Sequence, residues 1–212
     1  MKIYSILVHP SENSLNKDLF SKANDTFTRA GHSVKTLDLY HSKFDPNKLS
    51  KNIINLPGSS YDQKWSYAEK LKLLPDFTIN EIEKLKECDI LYIQTPIWLW
   101  GPPAILKSYT ENVFVFNTVF TKSHNIDGSI PFQLFRGKKV FFSITASSSE
   151  EAMLTNFRDR AEFLVHLKNV FELTGFEFID PCIAWEQNGI SDHVNKDITN
   201  LCNYIQTTVL KD

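Results

Sequence analysis

The segment from Ile90 to Lys107 constrains the fold of this chain more than any other part of it. Ile90–Thr95 is a mostly apolar run, which is typical of a strand buried on both faces of a parallel sheet. Two tryptophans, a glycine and two prolines follow it, and Pro103 suits the first position of a helix. This order predicts one strand–loop–helix unit of an α/β fold, with an aromatic loop at the carboxyl end of the strand. Open α/β sheets bind their ligands at that end.

The same alternation of strand and helix patterns recurs along the whole chain. Strands are predicted at 3–8, 34–39, 90–95, 139–145 and 176–185, with apolar residues at helical spacing between them. Because Pro181 interrupts the fifth strand, that strand is expected at an edge of the sheet. The pattern predicts a flavodoxin-like, doubly wound five-stranded parallel sheet in the order 2-1-3-4-5, within a three-layer sandwich.

Several helix ends carry recognisable signals. Ser14 is predicted to cap the first helix, and Gly31 to end it. The sequence Thr78–Glu81 has the form of a capping box and predicts the start of a short helix there. Ser191 is predicted to open the last helix, and Gly175 to close the one before it.

The length and the spacing of these elements predict one domain over residues 1–212. The chain is 42% hydrophobic, which is enough for one well-buried core. Two connections, at about 41–77 and 117–136, are too long for plain turns and are rich in aromatic residues. Such insertions usually cover a site or a subunit interface, so a homodimer is expected.

Charge and composition argue against several classes of partner. The 23 basic and 25 acidic residues leave a net charge of -2 without a repeating basic face, so no nucleic acid partner is expected. No segment approaches the roughly 20 apolar residues that span a bilayer, so no membrane insertion is expected. The three cysteines lack CxxC spacing, and the first apolar run lacks the features of a signal peptide. A cytoplasmic location is therefore expected.

The loop after the first strand has the composition of an anion site. It runs from His9 to Asn16 with small hydrogen-bonding side chains, among them Ser11, Asn13 and Ser14, and Leu15 begins the helix behind it. Backbone N–H groups and serine hydroxyls at a helix N-terminus favour a phosphate or pyrophosphate. The alternative is that Ser14 is only a helix cap and that the loop binds nothing.

Two further loops are predicted at the same edge of the sheet. Pro96–Trp100 offers a flat apolar wall, and Thr145–Ser148 offers small residues whose backbone N–H groups can reach the polar edge of a ring. Each loop alone has a simpler interpretation. The first can be a turn whose tryptophans cover the core, and the second can be a serine-rich surface turn. Their predicted convergence with the His9–Asn16 loop favours a single ligand site.

Other chemistries lack their sequence patterns. The six histidines show no HxxxH or HExxH spacing, and no carboxylate cluster is visible, so no metal site is expected. The serines after Thr145 are not framed by GxSxG, which disfavours a hydrolase. Neither GxGxxG nor GxxxxGK[ST] occurs, so Rossmann and P-loop interpretations lack their fingerprints.

These loops resemble those of the NAD(P)H:quinone oxidoreductases of the DT-diaphorase and modulator-of-drug-activity type, within the flavodoxin-like superfamily. His9 to Asn16 is similar to the family's pyrophosphate loop, and Pro96 to Lys107 is similar to its Pro-x-x-Trp-x-Gly-x-Pro-Ala-x-x-Lys block. Thr145 begins the third loop as it does in the family. The resemblance covers nearly the whole chain.

The resemblance implies a flavin cofactor, FAD or alternatively FMN, with NAD(P)H as co-substrate and a quinone as acceptor in a ping-pong mechanism. It implies that the flavin contacts His9, Ser11, Asn13, Ser14, Leu15, Asn16, Pro96, Ile97, Trp98, Leu99, Trp100, Thr145, Ala146, Ser147 and Ser148. The acceptor is expected against Trp100, Ser148 and Phe132. The sequence has Ala146–Ser148 where many members have Thr-Gly-Gly, and no catalytic acid or base is assigned.

Two other functions stay open on the sequence alone. A regulatory flavoprotein subunit of a membrane transporter, of the kind that assists potassium efflux, would bind its partner through the aromatic insertions. A single-electron flavodoxin is disfavoured, because those proteins are usually strongly acidic and lack long insertions. Turnover by the isolated protein would distinguish the enzyme from the regulator.

Overall fold

One parallel sheet organises the chain. The computed structural model describes residues 1–47, 56–60, 63–64, 68, 72–115, 118–119, 133–156, 162–186 and 194–211. Within these ranges five strands are hydrogen-bonded in the order β2-β1-β3-β4-β5, and each pair is parallel. The strands are β1 (Lys2–Leu7), β2 (Ser33–Asp38), β3 (Ile90–Pro96), β4 (Lys138–Thr145) and β5 (Phe176–Ala184). The predicted order is confirmed, and every predicted strand end lies within one residue of the observed one.

Helices cover both faces of the sheet. They are α1 (Leu15–Arg29), α2 (Asp76–Glu87), α3 (Ala104–Val113), α4 (Glu150–Asn156), α5 (Val165–Thr174) and α6 (Val194–Tyr204), with a 3-10 turn at Glu162–Leu164 and a π-helical turn at Ile205–Val209. The apolar side chains of α1 and α6 share one core with the sheet, and those of α2, α3 and α5 share another. The three-layer sandwich predicted from the sequence is therefore confirmed.

Strand β3 lies at the centre of the sheet and is buried along its whole length. Its side chains alternate between the two cores, so that Tyr92 faces α1 and Ile93 faces the opposite layer. The ring of Tyr92 is stacked between Phe20 and Phe141, with centroid distances of 6.1 and 5.6 Å. This packing fixes the position from which the Pro96–Trp100 loop leaves the sheet.

Strand β5 is an edge strand, as its proline predicted. Its register against β4 shifts between Phe141 and Ser143, which pair with Ile179 and Cys182. The extra residues at this β-bulge include Pro181, which has no N–H to give to the ladder. The bulge accommodates the proline without ending the strand.

The prediction of a capping box at Thr78–Glu81 is wrong. Helix α2 begins at Asp76, one residue after Pro75, and no side chain caps it. Thr78 and Glu81 lie inside the helix, where both are buried. The Glu81 carboxylate accepts hydrogen bonds from tyrosine hydroxyls of the neighbouring core instead of reaching back to the helix start.

Parts of the first long insertion pack on the α2–α3 side of the sheet. Phe44 contacts Phe77 and Tyr109 at ring-centroid distances of 5.1 and 6.1 Å, and Ser108 Oγ donates to the Pro46 carbonyl at 3.0 Å. Part of the first insertion lies outside the described residues, as do most of the second insertion, including Phe132, and the predicted helix start at Ser191. Among the described residues, no helix combines the length and the apolar character needed to cross a bilayer. The single domain and the cytoplasmic location stay predictions.

Candidate functional site

The three predicted loops meet at the carboxyl ends of β1, β3 and β4. They enclose a first cleft of about 390 Å³, lined by His9, Ser14, Leu15, Asn16, Pro96, Ile97, Trp98, Thr145, Ala146 and Ser147. A second cleft of about 230 Å³ adjoins it and is lined by Ile97, Leu99, Trp100, Ala146, Ser147, Ser148 and Met153. Both clefts share Ile97, Ala146 and Ser147. One elongated ligand, or two ligands stacked on each other, can therefore occupy them together.

Ser11 and Asn13, two of the predicted site residues, shape the first loop but do not line the clefts. Ser11 Oγ donates to the Asn13 carbonyl at 3.1 Å, and Ser14 Oγ donates to the Ser11 carbonyl at 3.1 Å. The backbone N–H of Ser11 donates to His9 Nδ1 at 3.1 Å. The serine hydroxyls expected to hold an anion are therefore used to fold the loop on itself.

The donors that remain for an anion are backbone groups at the start of α1. Ser14 caps the helix as predicted, because its side chain accepts from the N–H of Lys17 at 3.3 Å. The N–H groups of Leu15 and Asn16 have no acceptor in the part of the chain that the structure describes, as expected for the first turn of a helix. Both residues line the first cleft, so its α1 side suits a phosphate group.

A tight hairpin forms the aromatic wall. The N–H of Trp98 donates to the Gly101 carbonyl at 2.8 Å, and the N–H of Gly101 donates back to Trp98 at 3.1 Å. The two residues at its tip, Leu99 and Trp100, have φ of 48° and 66°. The left-handed region is strained for side chains of this kind, and such strain tends to occur at functional sites. The edge-on contact of Trp98 with His9, at 5.9 Å between ring centroids, joins the wall to the first loop.

Replacing Leu99 by asparagine is expected to raise the free energy of unfolding by about 1 kcal/mol, because asparagine tolerates the left-handed region. Leu99 is 99% exposed, so the change removes no buried apolar surface. Urea unfolding of the two proteins measures the difference. Leu99→Ala is the control, since alanine keeps the strain; an equal gain in that variant would refute the explanation.

The loop after β4 supplies further backbone donors on the opposite side. The N–H of Ala146 bonds to the Ala184 carbonyl at 2.9 Å, and the Ser148 carbonyl accepts from Glu186 at 3.1 Å. The N–H groups of Ser147 and Ser148 have no acceptor among the residues described. Both serines line the second cleft, where these groups can bond to the polar edge of a flat ligand.

Sequence reasoning missed Met153, which forms part of the second cleft although only 3% of it is exposed. It lies on α4, five residues after Ser148, and it packs with the core beside the sheet. Its polarisable side chain suits contact with an aromatic ligand. An apolar position in a short helix looks the same in sequence whether it faces a core or a cleft, so no pattern could have found it.

A buried amide network lies beneath the first cleft. Tyr92 donates to Gln94 Oε1 at 2.8 Å, and Gln94 Nε2 donates to Asn16 Oδ1 at 2.9 Å. Asn16 Nδ2 in turn donates to Thr145 Oγ1 at 3.0 Å. The side chain of Asn16, expected to contact a cofactor, is thus used to join α1 to β3 and β4.

A partly exposed ionic cluster connects the first loop to the end of β2. The Lys17 ammonium lies 2.9 Å from Glu12 and 3.3 Å from Asp38, and His41 Nδ1 lies 3.0 Å from Asp38. Glu12, Asp38 and His41 have ligand atoms within 4.8 Å of one another, a grouping that their sequence spacing does not reveal. Because the Lys17 ammonium pairs with both carboxylates, the cluster is an ion-pair network that braces the loop.

Asp38 is expected to add to stability at neutral pH and to lose that contribution in acid. Burial tends to raise its pKa, but hydrogen bonds from His41 and Lys17 outweigh burial and hold the pKa below its ordinary value of 3.8. A lowered carboxyl pKa stabilises the fold above the unfolded-state pKa, and the effect disappears as the pH falls through the folded-state pKa. Asp38→Asn should therefore cost about 1 kcal/mol or less at pH 7.

The measurement is urea unfolding of the wild type and of Asp38→Asn between pH 7 and pH 3. The two curves should converge at the acid end. Asp25→Asn is the control, because Asp25 is an exposed carboxylate on α1. A stability difference that persists unchanged into acid would contradict the assignment.

Comparison with known proteins identifies the family. A family model described as flavodoxin-like fold matches residues 1–207. The chain belongs to this family. A solved structure from Klebsiella pneumoniae shares the flavodoxin-like fold with a TM-score of 0.81 at 20% identity, covering 100% of this chain and 86% of that one.

The relatives of this flavodoxin-like chain include enzymes whose names give a quinone as substrate. NAD(P)H dehydrogenase (quinone) 1 of Cavia porcellus is 34% identical over 68% of this chain, but the match spans only 53% of that protein. Ribosyldihydronicotinamide dehydrogenase (quinone) of Pongo abelii is 25% identical over 100% of this chain and 93% of its own length. FMN-dependent NADH:quinone oxidoreductase 2 of Mesoplasma florum is 24% identical, over 84% of this chain and 78% of that protein. The resemblance predicted from the loops is confirmed.

The residues of this flavodoxin-like site fit a flavin. The start of α1 provides N–H donors that have no partner among the described residues and can bond to a phosphate. The Ile97–Trp98 segment provides a flat apolar wall, and Ser147 and Ser148 provide N–H donors opposite it. A flavin has the matching parts, which are a phosphate, a flat ring and a polar ring edge. The fit rests on the chemistry of the donor set and on its convergence at one edge of the sheet.

Proposed function

We propose that this flavodoxin-like protein is a flavin-dependent NAD(P)H oxidoreductase that reduces quinones and similar flat acceptors by two electrons. The observation that carries the proposal is the convergence of the three loops on adjoining clefts. N–H groups that can bond to an anion lie on one side, and the aromatic wall lies on the other. Relatives named NAD(P)H dehydrogenase (quinone) and ribosyldihydronicotinamide dehydrogenase (quinone) support the reaction class. None of the relatives described above is named as a transporter subunit, so nothing favours the regulatory alternative.

The proposed cofactor is FAD, with FMN as the alternative. The backbone N–H groups of Leu15 and Asn16 would hold a flavin phosphate, and the Ile97–Trp98 segment would contact the ring. The N–H groups of Ser147 and Ser148 would bond to the polar ring edge, where electron density increases on reduction. A relative named as FMN-dependent supports a flavin in general, and it favours testing FMN beside FAD.

The chain contributes orientation to the reaction. A bound flavin supplies the redox chemistry, accepting a hydride from a nicotinamide and passing it to the acceptor. The second cleft is lined by Trp100, Ser148 and Met153, which would hold the nicotinamide and the quinone in turn. Because both would use this cleft, the first must leave before the second binds, and the mechanism is therefore ping-pong. Phe132 keeps its proposed place against the acceptor, although it lies outside the described residues.

We also propose that the protein functions as a homodimer. Trp98, Leu99 and Trp100 are 42%, 99% and 52% exposed beside the clefts, which is unusual for side chains this large. A second copy that covers this hairpin would remove apolar surface from water and close the open side of the clefts. Light scattering of the purified protein measures the mass, and a monomer at micromolar concentration would refute the homodimer.

The function is tested on the purified protein. Heating should release a yellow cofactor, and chromatography against FAD and FMN standards identifies it. In the presence of that flavin and without oxygen, oxidation of NAD(P)H beyond one equivalent per flavin should require a quinone, and double-reciprocal plots at several quinone concentrations should be parallel. A protein that takes up neither flavin and leaves NAD(P)H unoxidised would exclude the proposal.

A further inference from the structure

The amide network beneath the first cleft joins three parts of the site that are distant in sequence. Gln94 lies near the end of β3, Asn16 in the first turn of α1, and Thr145 at the end of β4. The side chain of Gln94 is fully buried, and those of Asn16 and Thr145 are nearly so, with 5% and 6% of their surfaces exposed. Buried polar groups are costly unless they are bonded, so these side chains have few alternative arrangements.

The geometry makes Gln94 the central member of the network. Its Oε1 accepts from Tyr92 and its Nε2 donates to Asn16, at 2.8 and 2.9 Å, so both ends of its amide are fixed. Asn16 is also held by Thr145, which is its neighbour across the cleft floor. Asn16 therefore has its side chain bound from two strands, while its backbone N–H stays directed to the start of the helix.

Gln94 does not line either cleft, so any effect it has on a ligand passes through Asn16. Asn16 and Leu15 carry N–H groups on the α1 side of the first cleft that have no acceptor within the described ranges. A shift of the first turn of α1 would move both donors together. The strength of a hydrogen bond to a charged group depends on distance and angle, so such a shift would weaken phosphate binding in particular.

We propose that Gln94 is a positioning residue for the phosphate-binding end of the site. Through its bond to Asn16 it holds the first turn of α1 against β3, and it thereby sets the direction of the Leu15 and Asn16 N–H groups. This inference rests on the proposed function, since it assumes that a flavin phosphate lies there. Burial alone predicts that Gln94 contributes to stability. The proposed role makes it contribute to ligand affinity as well.

The test compares two flavins that differ only by the phosphate, FMN and riboflavin. In Gln94→Met, the affinity for FMN should fall about tenfold, because a bond to a charged group is weakened. The affinity for riboflavin should not change, because the ring wall at Ile97 and Trp98 is untouched. Quenching of flavin fluorescence measures both dissociation constants on the same apoprotein.

A second variant cuts the same bond from its other end. Asn16→Ala removes the side chain that Gln94 holds but keeps the backbone N–H of residue 16, so it should also lower the affinity for FMN selectively. The matched control is Tyr4→Phe, which removes one buried hydrogen bond, from Tyr4 to Glu81, and neither residue lines a cleft. It should lower stability and leave the ratio of the two affinities at the wild-type value.

The outcomes separate the inference from the proposed function. If the wild type takes up neither FAD nor FMN, the proposed function fails and the inference fails with it. If it takes up FAD but not FMN, the loss in the variants is measured with FAD in place of FMN. If the wild type binds both flavins and either folded variant keeps the wild-type ratio of affinities, Gln94 has only a structural role and the inference is refuted. A selective loss for FMN in the variants, with the wild-type ratio kept in Tyr4→Phe, supports it.

Discussion

Replacing Leu15 by proline is expected to weaken FMN binding about tenfold to a hundredfold, because it removes one N–H donor to a charged phosphate. Leu15 is the first residue of α1, and its N–H has no acceptor in the described structure. A proline at this position costs the helix no hydrogen bond. Ser14, which precedes it, has φ of -150° and ψ of 151°, a conformation that a following proline allows.

The substitution therefore separates ligand binding from folding. Thermal unfolding of Leu15→Pro without flavin should match that of Leu15→Ala, which also shortens the side chain but keeps the N–H. Fluorescence titration with FMN should then show the loss in Leu15→Pro only. Equal affinities in the two variants would mean that the start of α1 does not hold the phosphate.

Replacing Glu81 by alanine is expected to lower the free energy of unfolding by about 3–5 kcal/mol, the range for a broken buried charge network. Glu81 Oε2 accepts from Tyr4 and Tyr109 at 2.6 and 2.9 Å, and Lys84 lies 2.7 Å from Oε1. Burial first, and then the Glu81 carboxylate, raise the pKa of both tyrosines, so both stay protonated and donate. Without Glu81, two buried hydroxyls lose their acceptor.

Urea unfolding of the protein without flavin measures this effect. Glu81→Gln is the control, because the amide keeps an oxygen that can accept from the tyrosines and should cost clearly less than alanine. A loss of under about 1 kcal/mol in Glu81→Ala would show that the network adds little, as exposed ion pairs do. The midpoint of unfolding should shift without a change in slope, because the fold itself is kept.

The fold was largely readable from the sequence because its strands and helices differ in periodicity. Ile90–Thr95 is mostly apolar on both faces, as is typical of a central parallel strand, and this predicted the middle of the sheet. Pro181 predicted an edge, though not the bulge that accommodates it. Thr78–Glu81 misled the prediction, because a local capping pattern cannot show that tertiary hydroxyls compete for the same carboxylate.

The candidate site was predictable to the level of its loops. Strand ends of a parallel sheet share one edge, so three loops with suitable composition could be placed together. The role of each side chain could not be predicted, because it depends on three-dimensional contacts. Ser11 bonds within its loop, Asn16 bonds to Gln94, and Met153 lines the second cleft. The flavin contacts stay predictions, and the binding experiments above test them.

The proline within β5 also limits how copies of this protein can associate. An outermost strand with a free row of N–H and C=O groups invites another chain to extend the sheet. Pro181 lacks the N–H, and the register shift beside it bends the ladder out of line. We therefore expect any dimer to form through side chains on helices and loops, and not as one sheet that runs continuously through both subunits along this border.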